Sequence, residues 1–111
     1  MFSLFTDKHD RKLLHMESMT LTFNCLPETG VFLLAGLADS LGDTRAFKGC
    51  ISVEVFTDAE NPDTVVLLEK WEKKEDQAAY MAWRIETGMM EAIAPIMASE
   101  PKTIWLTPHS I

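Results

Sequence analysis

The amino-acid sequence predicts an α+β domain of the ferredoxin-like class, in which the elements follow in the split βαβ order β-α-β-β-α-β. The chain has 111 residues, which is the size of one domain. Segments with alternating polar and apolar residues, typical of half-buried strands, are separated by segments with apolar residues three and four positions apart, typical of helices. This order predicts an antiparallel sheet with its helices on one face.

The composition narrows the class of protein. Apolar residues make up 47% of the chain and charged residues 24%, which is typical of a globular domain and excludes a disordered or collagen-like chain. The formal net charge is −7, so the phosphate backbone of a nucleic acid would be repelled and we expect no nucleic-acid partner. Cys25 and Cys50 are too few for a disulfide scaffold, and we expect both to be free thiols.

No segment of the sequence predicts insertion into a membrane. The longest apolar run, residues 31–38, is far shorter than the ~20 residues that span a bilayer. Charged residues interrupt the N-terminus, where a signal peptide would be apolar. We therefore expect a cytoplasmic protein with no membrane partner, made of an N-terminal extension over residues 1–18 and a single domain over residues 19–111.

The first two predicted elements are a strand and a helix. Polar and apolar side chains alternate over residues 20–25, which predicts a half-buried strand that Pro27 ends, because proline has no backbone donor for the ladder. Apolar residues recur at helical spacing over residues 28–41, which predicts a helix with one apolar face. We expect Gly42 to end this helix.

The middle of the chain predicts a β-hairpin. Residues 50–57 alternate between polar and apolar, and residues 58–63 are rich in turn formers. Residues 64–72 are apolar on both faces at their start, which is typical of a central strand.

The C-terminal part predicts helix followed by strand. Residues 73–86 are rich in helix formers, with a predicted apolar face at Ala78, Ala79, Ala82 and Ile85. Gly88 breaks this helix, and residues 89–98 form a second helical piece that we expect Pro95 to bend or break. Residues 103–107 alternate and form the last predicted strand.

Helices on one face of the sheet leave the other face uncovered. We expect that face to expose apolar side chains of the hairpin, namely Val53, Val55, Val65 or Leu67. A second copy of the chain is the simplest cover, because symmetric homodimers are the commonest oligomers. The sequence therefore predicts a homodimer.

Three segments carry a resemblance to a known family. Residues 47–55 contain Gly49-Cys50 at the start of a strand, residues 69–72 read Glu-Lys-Trp-Glu at the end of the next strand, and residues 91–97 precede Pro101. In order and spacing they resemble the antibiotic-biosynthesis monooxygenase family. The resemblance implies a homodimer in which two sheets form a dimeric α+β barrel, with a cavity between sheet and helices in each protomer.

Four residues are candidates for catalysis, three of them by resemblance to the family and Glu69 by its place on the strand. Trp71 matches a family tryptophan that holds the substrate, although a core role is the alternative. Glu69 lies on the same strand face and is a candidate base, or else one half of an ion pair. Asn24 is a candidate donor to bound oxygen or a substrate carbonyl, or a strand-end cap. Tyr80 lies where many members carry a histidine, and a surface position is its alternative.

Four further residues are candidates for binding the substrate. Leu67 occupies the position of an asparagine in a hydroxyanthrone-oxidising branch of the family. Trp83 and Met89 are candidates for lining a soft pocket, with ordinary core packing as the alternative. Arg84 is a candidate for binding an acidic group of the substrate, with a surface ion pair as the alternative.

The sequence also departs from the family pattern. No histidine lies between His15 and His109, which argues against the haem-degrading branch and its axial histidine. No glycine-rich dinucleotide loop and no metal-ligand cluster is present, so we expect no cofactor and no metal. The resemblance implies a cofactor-independent monooxygenase acting on a small aromatic or quinol-like compound. The alternatives are a non-catalytic dimeric module that binds a small hydrophobic molecule and, less favoured, a haem-binding or haem-degrading protein.

Overall fold

The computed structural model of the chain describes residues 16–111. They form a four-stranded antiparallel sheet with strand order β2-β3-β1-β4, covered by helices on one face, which confirms the predicted ferredoxin-like α+β class. The strands are β1 Glu17–Asn24, β2 Cys50–Asp58, β3 Asn61–Trp71 and β4 Lys102–Leu106. The helices are α1 Gly30–Ala46, α2 Lys74–Glu86 and α3 Met89–Ile93, followed by a 3₁₀ turn at Ala94–Ile96.

The predicted N-terminal extension falls almost entirely outside the described residues. Its first fifteen residues are not among them, and its last two, Glu17 and Ser18, already belong to β1. The division of the chain at residue 18 stays a prediction. Of the helices described, none is long and apolar enough to cross a membrane.

One hydrophobic core lies between the sheet and the helices. Alternate side chains of β1 and β3 enter it, because successive residues of a strand point to opposite faces. The helix α1 contributes one side chain per turn. The buried core residues of these three elements are Met19, Leu21, Phe23, Leu33, Leu37, Leu41, Val65, Leu67 and Trp71.

The sheet faces are the reverse of the predicted ones. Val53, Val65 and Leu67, which we expected on the uncovered face, are at most 4% exposed and pack under the helices. Val55 pairs with Leu67 across the ladder and shares its face. The prediction was wrong because β3 is apolar on both faces, so that its composition does not show which face the helices cover.

The uncovered face carries a different apolar set. We call it the open face, and its apolar members come from β2, β3 and β4. The most exposed of them, Phe56, has 48% of its surface accessible. The others are Val66, Leu68, Ile104 and Leu106.

The helix α1 does not end at Gly42, as the sequence led us to expect, but continues to Ala46. A methyl group added to Gly42 would meet no atom within 4 Å, so this glycine serves no close approach. The extra turn buries Thr44, whose hydroxyl lies 2.6 Å from the Tyr80 hydroxyl of α2. Packing of this turn against α2 outweighs the weak preference of glycine for a helix end.

The helix α2 also presents a different face from the predicted one. Its buried residues are Gln77, Tyr80 and Arg84, while Ile85 is 58% exposed. The predicted apolar stripe at Ala78, Ala79 and Ala82 is exposed. Spacing of apolar residues failed here because the buried face is built from polar side chains that bond across to α1.

The two helix breaks predicted after α2 agree with the structure. Gly88 ends the α2 region with a positive φ of 87°, a conformation that glycine adopts without strain. Pro95 lies in the 3₁₀ turn directly after α3, which is therefore only five residues long. The segment after Gly88 thus consists of two short helical pieces, α3 and the 3₁₀ turn, rather than one helix.

Asp63 joins α1 to the sheet. The two oxygens of its carboxylate accept hydrogen bonds from the backbone N–H groups of Gly30 and Glu28, at 2.9 and 3.0 Å. These bonds favour the charged form and lower the pKa of Asp63. These two hydrogen bonds fix the start of α1 against β3.

Candidate active site

A cavity of about 670 Å³ lies between the sheet and the three helices. Its walls are mainly apolar, because it is an unfilled part of the core. Leu21, Phe23 and Leu67 of the sheet form its floor. The helix α1 forms one wall, α2 the opposite wall, and α3 with Ile96 the roof.

Glu69 is the carboxylate on the floor of this cavity. It lies on β3 between Met19 of β1 and Val53 of β2, both buried and apolar, and is itself 1% exposed. Its Oε1 accepts a hydrogen bond of 2.9 Å from the indole N–H of Trp71, two residues further along the strand. Burial raises the pKa of Glu69, and the bond from Trp71 offsets part of that rise.

The Glu69 carboxyl has a second oxygen for which the described residues supply no hydrogen bond. Because the side chain lines the cavity, this oxygen is the one available to a molecule bound there. The arrangement suits proton transfer, since a buried carboxyl with a raised pKa is a stronger base once ionised than an exposed one.

A buried polar cluster forms the wall between α1 and α2. The Nε of Arg84 donates to the Tyr80 hydroxyl at 2.7 Å, and its Nη2 donates to the Thr44 hydroxyl at 3.1 Å and to the Ser40 carbonyl at 2.8 Å. Arg84 is only 7% exposed, and its hydrogen-bond partners within residues 16–111 are all uncharged. The cluster holds the α2 side chains rigidly against α1.

Two aromatic rings lie against the Arg84 guanidinium. Its central carbon lies 4.6 Å from the ring centre of Trp83 and 5.2 Å from that of Tyr80. The Tyr80 ring also packs edge-on against Phe47, at 5.3 Å between ring centres. Such cation–π contacts stabilise a cation that is removed from water.

Six of the eight sequence-predicted site residues line the cavity. They are Leu67, Glu69, Tyr80, Trp83, Arg84 and Met89. Each comes from the end of β3, from α2 or from the start of α3, the three segments that meet around the cavity.

The other two predicted residues, Asn24 and Trp71, do not line it. Asn24 is exposed at the end of β1, where its side-chain oxygen accepts a bond of 3.3 Å from the Thr64 hydroxyl. Trp71 is fully buried, and its ring lies 5.4 Å from that of Tyr80. Trp71 therefore contacts two cavity residues, Glu69 by a hydrogen bond and Tyr80 by ring packing, without lining the cavity itself.

Sequence reasoning missed the contribution of α1. Ser40 and Thr44 line the cavity and contact Arg84, but they lie around the glycine that was expected to end the helix. Their spacing of four residues, in phase with Leu37 and Leu41, is the signal that would have found them.

A second cavity of about 580 Å³ adjoins the first, and four residues line both: Leu21, Met81, Met90 and Ile93. It is bordered by Met97 and by the segment that leads into β4. No group of three or more His, Cys, Asp or Glu side chains within residues 16–111 is placed to hold a metal ion.

Solved structures share this fold. One described as an antibiotic biosynthesis monooxygenase superposes with a TM-score of 0.75 at 16% identity, covering 85% of this chain and 99% of the other. A protein from Pseudomonas aeruginosa gives 0.75 at 14% identity, covering 86% and 96%. A protein from Shewanella oneidensis gives 0.70 at 21% identity, covering 84% and 92%.

The sequence comparisons add the family. None of the curated proteins compared with the chain matches it. The family profile described as antibiotic biosynthesis monooxygenase matches residues 28–94, which include α1, the hairpin, α2 and α3. The match spans more than half of the chain and most of the cavity lining. The chain therefore belongs to the antibiotic biosynthesis monooxygenase family.

Proposed function

We propose that the protein is a cofactor-independent monooxygenase that oxidises a small aromatic or quinol-like compound in the cavity. The observation that carries this proposal is the position of Glu69, a buried carboxyl group on the floor of a mainly apolar cavity, with one oxygen that accepts no hydrogen bond from residues 16–111. Family membership supports the reaction type. The apolar walls, with Leu67, Trp83 and Met89 among them, suit a flat aromatic substrate.

In this proposal Glu69 removes a proton from a substrate hydroxyl group. The resulting anion is electron-rich and reduces O₂ directly. One oxygen atom enters the ring as a carbonyl, and the other leaves as water with the two hydrogen atoms lost by the substrate. A hydroxyarene and O₂ thus give a quinone and water, so the reaction balances with no further reductant.

Oxygen uptake with a panel of dihydroxyarenes tests the proposal. We expect the wild-type protein to consume O₂ faster than the uncatalysed autoxidation, with one atom of ¹⁸O₂ appearing in the quinone. Glu69→Gln should lower kcat/KM by roughly 10²–10⁴, the usual contribution of a general base. Glu86→Gln, an exposed carboxyl on α2, is the matched control and should leave the rate unchanged.

Two results would contradict this proposal. One is product formation that continues when O₂ is removed. The other is equal activity of Glu69→Gln and wild type, which would assign the proton transfer to another group.

We further propose that the protein is a homodimer joined through the open face, as the family resemblance implies. The exposed apolar side chains of that face, above all Phe56 and Ile104, support this arrangement because a monomer would leave them in water. We also place the protein in the cytoplasm, which the two unpaired cysteines, Cys25 and Cys50, support.

A further inference from the structure

The wall between α1 and α2 contains a buried cation whose charge the described residues do not neutralise. The hydrogen bonds of the Arg84 guanidinium go to two hydroxyl groups and one backbone carbonyl. Its Nη1 has no acceptor among residues 16–111. Because arginine is almost never this deeply buried without an anionic partner, the missing partner calls for an explanation.

A second unsatisfied group lies next to this cation. The hydroxyl oxygen of Ser40 is buried and has no hydrogen-bond partner in the described part of the chain. The backbone carbonyl of the same residue accepts the bond from Nη2 of Arg84, so the guanidinium lies against Ser40. Both residues line the cavity. Unpaired buried donors of this kind are rare and mark places where a bound group completes the hydrogen bonding.

The chemistry of these donors selects the group that would bind. Nη1 of Arg84 keeps its two N–H groups on a charged guanidinium, and a carboxylate oxygen is an acceptor that such a group binds in a charge-assisted hydrogen bond. The Ser40 hydroxyl can add a further hydrogen bond to one of those oxygens. The charge of Arg84 would then be balanced inside the protein, as it is in buried ion pairs.

The rest of the cavity indicates which chemical group the carboxylate is attached to. Apart from Glu69, Asp43 and Thr87, the lining beyond this cluster is apolar, with the Trp83 ring beside the guanidinium and Leu67 on the floor. A small hydrated anion would leave these surfaces in water, whereas an aromatic ring would cover them.

We propose that Arg84 and Ser40 form a carboxylate-binding site, and that the substrate of the cavity is an aromatic acid anchored there by its carboxylate. The inference rests on the proposed function only in treating the cavity as the substrate site. It adds the class of substrate, a hydroxyarene carboxylic acid rather than a neutral phenol.

Binding measured under nitrogen tests this inference separately from turnover. Isothermal titration of the wild-type protein would compare 2-naphthoate, its neutral isostere 2-naphthamide, and acetate. We expect 2-naphthoate to bind at least tenfold more tightly than 2-naphthamide, and acetate to bind more weakly than either. Because no O₂ is present, the affinities stand whether or not the protein proves to be a monooxygenase.

Variants then locate the site. Arg84→Gln should weaken 2-naphthoate binding tenfold or more and leave 2-naphthamide binding unchanged, and Ser40→Ala should weaken 2-naphthoate binding a few-fold. Arg45→Gln is the matched control, because Arg45 bonds to the Val53 carbonyl outside the cavity and should have no effect.

Equal affinity of the wild-type protein for acid and amide would overturn the inference, and this comparison does not depend on whether any variant folds. Acetate binding as tight as that of 2-naphthoate would overturn the aromatic part of the inference. An equal loss in Arg84→Gln and Arg45→Gln would overturn the assignment to this wall.

Discussion

Glu69 makes folding stability depend on pH in a direction opposite to that of most carboxylates. Its pKa is raised in the folded protein, so the folded state holds the proton more tightly than the unfolded chain does. Stability therefore falls as the pH rises from the ordinary carboxyl pKa, about 4.3, to the raised folded value, and it stays lower above that window.

Glu69→Gln should remove this dependence. Glutamine cannot ionise but keeps an oxygen that accepts the Trp71 N–H. We expect the variant to be more stable than wild type at neutral pH, by about 1.4 kcal/mol for each unit by which the pKa is raised, and the difference to shrink below pH 4. Urea unfolding at several pH values measures it. An unchanged pH profile in Glu69→Gln would show that Glu69 is not the titrating group.

Tyr80 is a second residue whose contribution to the free energy of unfolding can be measured, through its hydroxyl group. Tyr80→Phe keeps the ring contacts with Phe47 and Trp71 but removes the acceptor of the Arg84 Nε bond and the partner of the Thr44 hydroxyl. Leaving buried groups unsatisfied costs about 1–3 kcal/mol each, so we expect a loss in this range or above it in urea unfolding. A loss below about 0.5 kcal/mol would mean that water replaces the hydroxyl.

The candidate site residues differ in how far the sequence could place them. Glu69 and Leu67 share one face of β3 by simple alternation, and both line the cavity as that alternation requires. The same rule places Asn24 on the face opposite Phe23, so its position outside the cavity was readable from the strand. The complete burial of Trp71 outside the cavity could not be predicted from the strand, because it depends on how Tyr80 packs against its ring.

Two glycines of α1, Gly30 at its first residue and Gly42 in its interior, allow a paired test of how the helix packs. Gly42→Ala should stabilise the protein by about 0.4–1 kcal/mol, because a methyl group there meets open space in the interior of a helix. Gly30→Ala should destabilise it, because the new methyl group would lie 2.8 Å from the Cα of Asp63 and closer still to the backbone carbonyl oxygen of Pro62. Thermal unfolding of the two variants should shift in opposite directions. Shifts of the same sign would contradict this account of α1.

The order of elements was predictable because it depends on local patterns, whereas their faces depend on tertiary partners. Alternation placed all four strands, and Gly88 and Pro95 correctly marked the breaks around α3. The face of α2 was not predictable from apolar spacing, because Arg84 is buried by bonds to α1, whose last turn lies beyond Gly42. Because the sequence predicted that α1 ends at Gly42, it predicted neither the α1 wall of the cavity nor the buried face of α2.

Association of two chains is tested by placing a charge on the open face. Phe56→Glu puts a carboxylate where the dimer would bury an apolar ring, so we expect the wild type to sediment as a dimer and the variant as a monomer. Ile85→Glu is the matched control, since Ile85 is similarly exposed but lies on α2, and it should remain a dimer. A wild-type monomer, or dissociation of both variants, would contradict pairing through this face.

The shortness of α3 has a consequence for how the cavity opens. The helix has five residues, none of them buried, yet Met89, Met90 and Ile93 roof the cavity. Its backbone bonds can open without disturbing the sheet, so its amide hydrogens should exchange with solvent faster than those of β1 and β3. A molecule that binds only under the closed roof should slow this exchange in proportion to its occupancy. The amides of α3 thereby become a direct reporter of binding that requires no turnover.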